Sequence, residues 1–84
     1  LDLKIQLFAA LAQVAGTREL RVHLPDTPDE PTVHALMTQL SQNYPNWGLD
    51  PRCVRVAVNM EYAPLTQQLC EGDEIALIPP VSGG

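Results

Sequence analysis

The chain has 84 residues, 45% of them hydrophobic and 18% charged, with a formal net charge of −5. That suffices for one globular domain with one modest core, and argues against a self-contained enzyme with a deep cleft of its own. The acidic balance disfavours nucleic acid and anionic membranes and favours partners with basic surfaces, since Lys4, Arg18, Arg21, Arg52 and Arg55 are scattered and form no patch.

Leu3, Ile5 and Leu7 alternate with Lys4, Gln6 and Phe8, which predicts a strand with one buried face and puts Phe8 on the other. Ala9 to Ala15 is rich in Ala and Leu and predicts a short helix stopped by Gly16. Leu20, Val22 and Leu24 alternate with polar residues, a second strand. The segment from Pro25 to Pro31 holds three prolines, which predict a loop. Thr32 reads as an N-cap. Val33, Leu36, Met37, Leu40 and Tyr44 then form one stripe of an amphipathic helix that Pro45 ends. Residues 45–51 read as a second loop, with Trp47 as a lid on the core edge.

Val54, Val56 and Val58 predict a third strand, Asn59-Met60 a turn, and Glu61-Tyr62 a short strand. Pro64 to Leu69 is expected to form a short helical turn, and Glu71-Gly72-Asp73 a tight turn. Ile75 and Leu77 alternate with Ala76 and Ile78 in the last strand, which Pro79-Pro80 closes because proline offers no ladder donor. The expected class is α+β: a mixed sheet of about five strands, the long helix across one face, a short helix after the first strand, and the first and last strands parallel in the middle. Residues 1–80 form the expected domain and residues 81–84 a flexible tail ending in Gly83-Gly84. No apolar run spans a bilayer and no leader pattern opens the chain, so the expected location is the cytoplasm.

Enzyme chemistry finds little support. No phosphate-binding glycine loop, zinc-protease motif or metal-ligand cluster occurs, so no metal is expected. His23 and His34 read as solvated surface residues, and Asp73-Glu74 as part of a turn. Cys53 and Cys70 have sixteen residues between them and read as reduced thiols packed as small hydrophobes; a disulfide or a reactive thiol are the alternatives.

The end of the chain is different. Gly83-Gly84 without Cβ atoms can thread a narrow channel and bring a terminal carbonyl close to a reacting phosphate or sulfur. Val81 to Gly84, extended, reach roughly 13 Å. A frayed end or a cloning remnant is the alternative. Phe8 and Ile78 both point away from the core by strand parity, near the ends of strands expected to be parallel neighbours, so they would form an exposed apolar patch beside the tail. The alternative is that Phe8 covers the short helix.

Leu7-Phe8-Ala9 before a helix ending in Gly16, Thr32-Val33-x-Ala35-Leu36, Val58-Asn59, Leu69-x-Glu71-Gly72-Asp73-Glu74 and Pro79-Pro80-Val81-Ser82-Gly83-Gly84 together resemble the small, sulfur-carrying subunits of molybdopterin synthases, which have the ubiquitin-like β-grasp fold. The resemblance covers nearly the whole chain. It implies that Gly84 is adenylated by a ubiquitin-activating-enzyme-like adenylyltransferase that uses ATP. A sulfur donor protein then converts the end to a thiocarboxylate. It further implies that Val81, Ser82 and Gly83 thread into the large subunit, in a heterotetramer of two small and two large subunits. There sulfur passes to a cyclic pterin monophosphate in molybdenum cofactor biosynthesis. Phe8, Tyr62 and Ile78 fall at the apolar docking positions of the family. No permanently bound cofactor is implied, and the catalytic residues are expected in the large subunit. Three rivals share the Gly-Gly end or the fold: a carrier for thiamine thiazole synthesis, a protein modifier forming isopeptide bonds, and a non-covalent ubiquitin-like interaction module.

Overall fold

The computed structural model describes residues 1–25, 31–50 and 53–79. The strands are β1 (Asp2–Leu7), β2 (Glu19–His23), β3 (Arg55–Val58), β4 (Glu61–Tyr62) and β5 (Glu74–Ile78); the helices are α1 (Ala9–Ala15) and α2 (Val33–Asn43). The sheet order is β2-β1-β5-β3-β4, with β1 and β5 parallel in the interior and the other neighbours antiparallel. This is the β-grasp arrangement expected from the sequence.

Strand parity builds the core. Leu3, Ile5 and Leu7 of β1, Ile75 and Leu77 of β5 and Val56 of β3 are buried on one face, where Val33, Leu36, Met37 and Leu40 of α2 join them. Register aligns these rows: Leu7 opposite Leu77 and Leu77 opposite Val56. Leu36 is wholly buried at the centre of the α2 stripe. Leu36→Ala is expected to destabilise the fold by about 2–5 kcal/mol, measured by urea unfolding, because its methyls vacate a close-packed site.

The helix ends obey local rules with one tertiary addition. Gly16 closes α1 at φ 74°, a left-handed value that glycine adopts without a Cβ clash. Thr32 caps α2, its hydroxyl oxygen accepting from the Ala35 N–H at 3.3 Å. The expected helical turn over 64–69 is instead a single turn, closed by the Gln67 N–H on the Pro64 carbonyl, followed by an extended stretch bridged to Thr32. The reason lies across the fold. The carbonyls of Gln67 and Leu65 accept from the Val33 and His34 N–H groups, donors that the first turn of α2 leaves without intrahelical partners.

Pro45–Trp47 forms a 3-10 helix within the expected loop. Tyr44 and Trp47 stack with ring centroids 3.9 Å apart, and both pack partly buried on the core edge, as the lid reading required of Trp47. The cysteine expectation is corrected: Cys53 and Cys70 are free but exposed. Their neighbours Val54 and Leu69 take the buried positions, leaving the thiols on the outside of the two turns. No helix among the described residues is long and apolar enough to cross a membrane. Much of the 25–31 loop and the tail residues Val81, Ser82, Gly83 and Gly84 lie outside the described residues.

Candidate functional site

The face of the sheet opposite α2 carries a concavity of ≈ 380 Å³ lined in part by Phe8, Ala57, Met60, Tyr62, Ala76 and Ile78. Its shape follows from residue size and register. Gln6, Ala76, Ala57 and Tyr62 lie in one row across β1, β5, β3 and β4. The two alanines form a low floor, and the larger side chains of Phe8, Ile78, Tyr62 and Met60 stand around it. Phe8 is 46% and Tyr62 65% exposed, whereas Ile78 is half-buried.

Each wall is held by its local backbone. Phe8 is extended, and Ala9 turns the chain at φ 50° into α1, so Phe8 stays at the rim of the sheet. It also borders a second depression with Ala12 of α1, so it partly covers the short helix as well. Tyr62 lies under the Arg55 guanidinium, 5.3 Å from the ring centroid, a cation–π contact that orients the ring. Ile78 is opposite Arg55 in the β3–β5 ladder and is followed by Pro79. The last strand therefore ends at the edge of the concavity.

Asn59 ties this region to the start of β5. Its side-chain amide donates to Asp73 Oδ1 at 3.0 Å and its carbonyl oxygen accepts from the Glu74 N–H at 3.0 Å. Asp73 Oδ2 in turn accepts from the Cys70 N–H at 2.8 Å, which closes the Glu71-Gly72 turn. These contacts explain why Val58-Asn59 and Glu71-Gly72-Asp73-Glu74 occur together in one sequence. Asn59→Ala removes two hydrogen bonds and a side chain suited to φ 51°. It is expected to cost about 1–3 kcal/mol and lower the melting temperature, read by circular dichroism.

Elsewhere the chemistry is sparse. Among the described residues no group of His, Cys, Asp or Glu could hold a metal ion. His23 meets Asp2, Nδ1 to Oδ1 at 2.8 Å, away from the concavity, and this hydrogen bond holds the Asp2 carboxyl below its ordinary value. His34 is exposed near the start of α2, the helix that packs on the opposite face of the sheet. The structure thus brings Phe8, Tyr62 and Ile78 together. It adds Met60 and the alanine floor, which sequence reasoning missed. Small residues on an outward strand face were the available signal for the floor.

Comparison with known proteins places this geometry. The chain is 40% identical to the molybdopterin synthase sulfur carrier subunit of Dictyostelium discoideum over 96% of its own length and 94% of the relative's. It is 38% identical to small archaeal modifier protein 1 of Haloferax volcanii, over 94% of this chain and 97% of that one. Its fold matches the putative molybdopterin converting factor, subunit 1, of Pyrococcus furiosus with a TM-score of 0.80 at 27% identity, covering 96% of this chain and 99% of the other. A Helicobacter pylori chain, solved in a complex of subunits 1 and 2 of molybdopterin-converting factor, shares the fold at TM-score 0.69 and 20% identity, with both chains fully covered. The sequence model of the ThiS family matches residues 5–84, from the middle of β1 through both helices and the other strands to the Gly83-Gly84 end, and the chain belongs to that family.

Proposed function

We propose that this chain is the sulfur carrier subunit of a molybdopterin synthase and that the carboxylate of Gly84 is its working group. The observation that carries the reading is the 40% identity with such a carrier along nearly the whole of both chains. It is supported by a sheet whose last strand, beside an apolar face, leads to a glycine pair.

A carboxylate is a poor electrophile, so the Gly84 end must first be activated. Its oxygen attacks the α-phosphate of ATP on an adenylyltransferase partner, and pyrophosphate leaves. A sulfur donor protein then displaces AMP from the acyl carbon, leaving a thiocarboxylate. That sulfur is anionic at neutral pH and nucleophilic, and it passes to the cyclic pterin monophosphate held by the large subunit. The body of the chain contributes no acid or base. It presents the tail and docks through Phe8, Tyr62 and Ile78, while Val81, Ser82 and Gly83 thread the partner's channel. ATP is the activating partner's substrate, the setting is the cytoplasm, and the assembly is a heterotetramer of two small and two large subunits.

Intact mass spectrometry after incubation with ATP, a ubiquitin-activating-enzyme-like adenylyltransferase and a sulfur source tests the reading. The expected product has one oxygen of the chain replaced by sulfur; an unchanged mass overturns the proposal. A second reading, protein modification, is favoured by the 38% identity with small archaeal modifier protein 1. It predicts conjugates of higher mass that depend on Gly84 and are visible by immunoblot of cell extracts.

A further inference from the structure

The connection between β3 and β4 is two residues long, with Val58 opposite Glu61 across it. Both connecting residues have positive φ, 51° at Asn59 and 74° at Met60. That pattern belongs to a type I′ hairpin turn, whose second position favours glycine. Asn59 is accounted for, since asparagine tolerates the left-handed region and its amide group joins Asp73 and Glu74. Met60 is not. A methionine there sets its Cβ against the backbone, and its side chain is 93% exposed, so the fold gains no burial from it.

Met60 does have position. It lines the same concavity as Phe8, Tyr62 and Ile78. Ile78 directly precedes Pro79, and the five residues beyond it can span at most about 18 Å. A partner that draws in Gly84 is therefore held close to the end of β5, within reach of this concavity. The unbranched thioether adapts to an irregular apolar surface better than a stiffer side chain does.

We infer that Met60 is a docking residue for the large subunit of molybdopterin synthase, retained in a turn that favours glycine because its side chain inserts into an apolar surface of that subunit. This rests on the function proposed above and adds a fourth wall to the docking face. It predicts opposite effects on folding and binding, which a purely structural residue would not produce.

The test uses the full chain, its Met60→Gly and Met60→Leu variants, and the molybdopterin synthase large subunit from the same source. Melting is followed by calorimetry and binding by isothermal titration. Met60→Gly is expected to raise the melting temperature by about 4 °C. The same variant is expected to weaken binding about tenfold, an ordinary loss for an apolar interface contact. Met60→Leu, equally strained and still apolar, is expected to keep both values near those of the parent chain. Parent-like binding by Met60→Gly overturns the inference and leaves the proposed function standing. A melting temperature that does not rise also overturns it. A parent chain that fails to bind the large subunit overturns the proposed function itself, and the inference with it.

Discussion

Deleting Gly84 is expected to abolish sulfur loading while leaving the melting temperature unchanged. The core residues of the described chain run from Leu3 to Leu77, and there α2 and the sheet bury one another. Stability is therefore indifferent to the deletion. Reactivity is not. The shortened chain still ends in a carboxylate, now on Gly83, but that group falls about 3.5 Å short of the place Gly84 reached. Misplacement of a reacting group by as little as about 1 Å can cost a hundredfold in rate. The deletion should thus lose more than a hundredfold in adenylation, followed by pyrophosphate release, with no thiocarboxylate in the intact mass. A truncated chain that loads at the parent rate would remove the requirement for Gly84, and for its reach, from the mechanism.

Phe8→Arg is expected to weaken binding of the large subunit by about a hundredfold, again with little change in stability. Phe8 is 46% exposed and lies outside the buried cluster, so the fold loses little when it is replaced. In the proposed docking role the same ring is expected to act as an anchor. Truncating aromatic anchors typically costs about 2–4 kcal/mol. Arginine adds the desolvation of a charge above the Ala57 and Ala76 floor. Titration calorimetry against the large subunit measures the loss. Unchanged affinity would assign Phe8 to covering α1, the role that its contact with the Ala12 depression otherwise suggests.

Most of the fold was legible because its elements keep a single period. The 3-5-7 alternation of β1 and the 33-36-37-40 stripe of α2 each point one apolar face inward, and the structure buries those residues. Alternation also worked in reverse. Phe8 and Ile78 fell on the outward parity, and the structure puts both at one concavity. Gly16 and Pro45 marked helix ends by backbone chemistry alone, through a left-handed φ and a missing donor.

The segments that misled lacked such local grounds. Residues 64–69 looked like a short helical turn, yet the Leu65 and Gln67 carbonyls are drawn out to the open N–H groups of α2, some thirty residues away in sequence. Cys53 and Cys70 looked like core residues by type, but Val54 and Leu69 occupy the inward positions beside them. Met60 looked like an ordinary turn residue, and only the backbone φ and the shared concavity reveal its position.

Local chemistry, then, was sufficient for the five strands, the two α-helices and the faces they turn inward. Which side chains meet was decided by the parallel pairing of β1 with β5 and the antiparallel pairing of β5 with β3. That pairing places Ala76 beside Ala57 and gathers Phe8, Met60, Tyr62 and Ile78 from distant stretches of the chain around them. Periodicity speaks for one strand at a time, whereas register is a property of two, so the concavity existed only once the sheet was assembled.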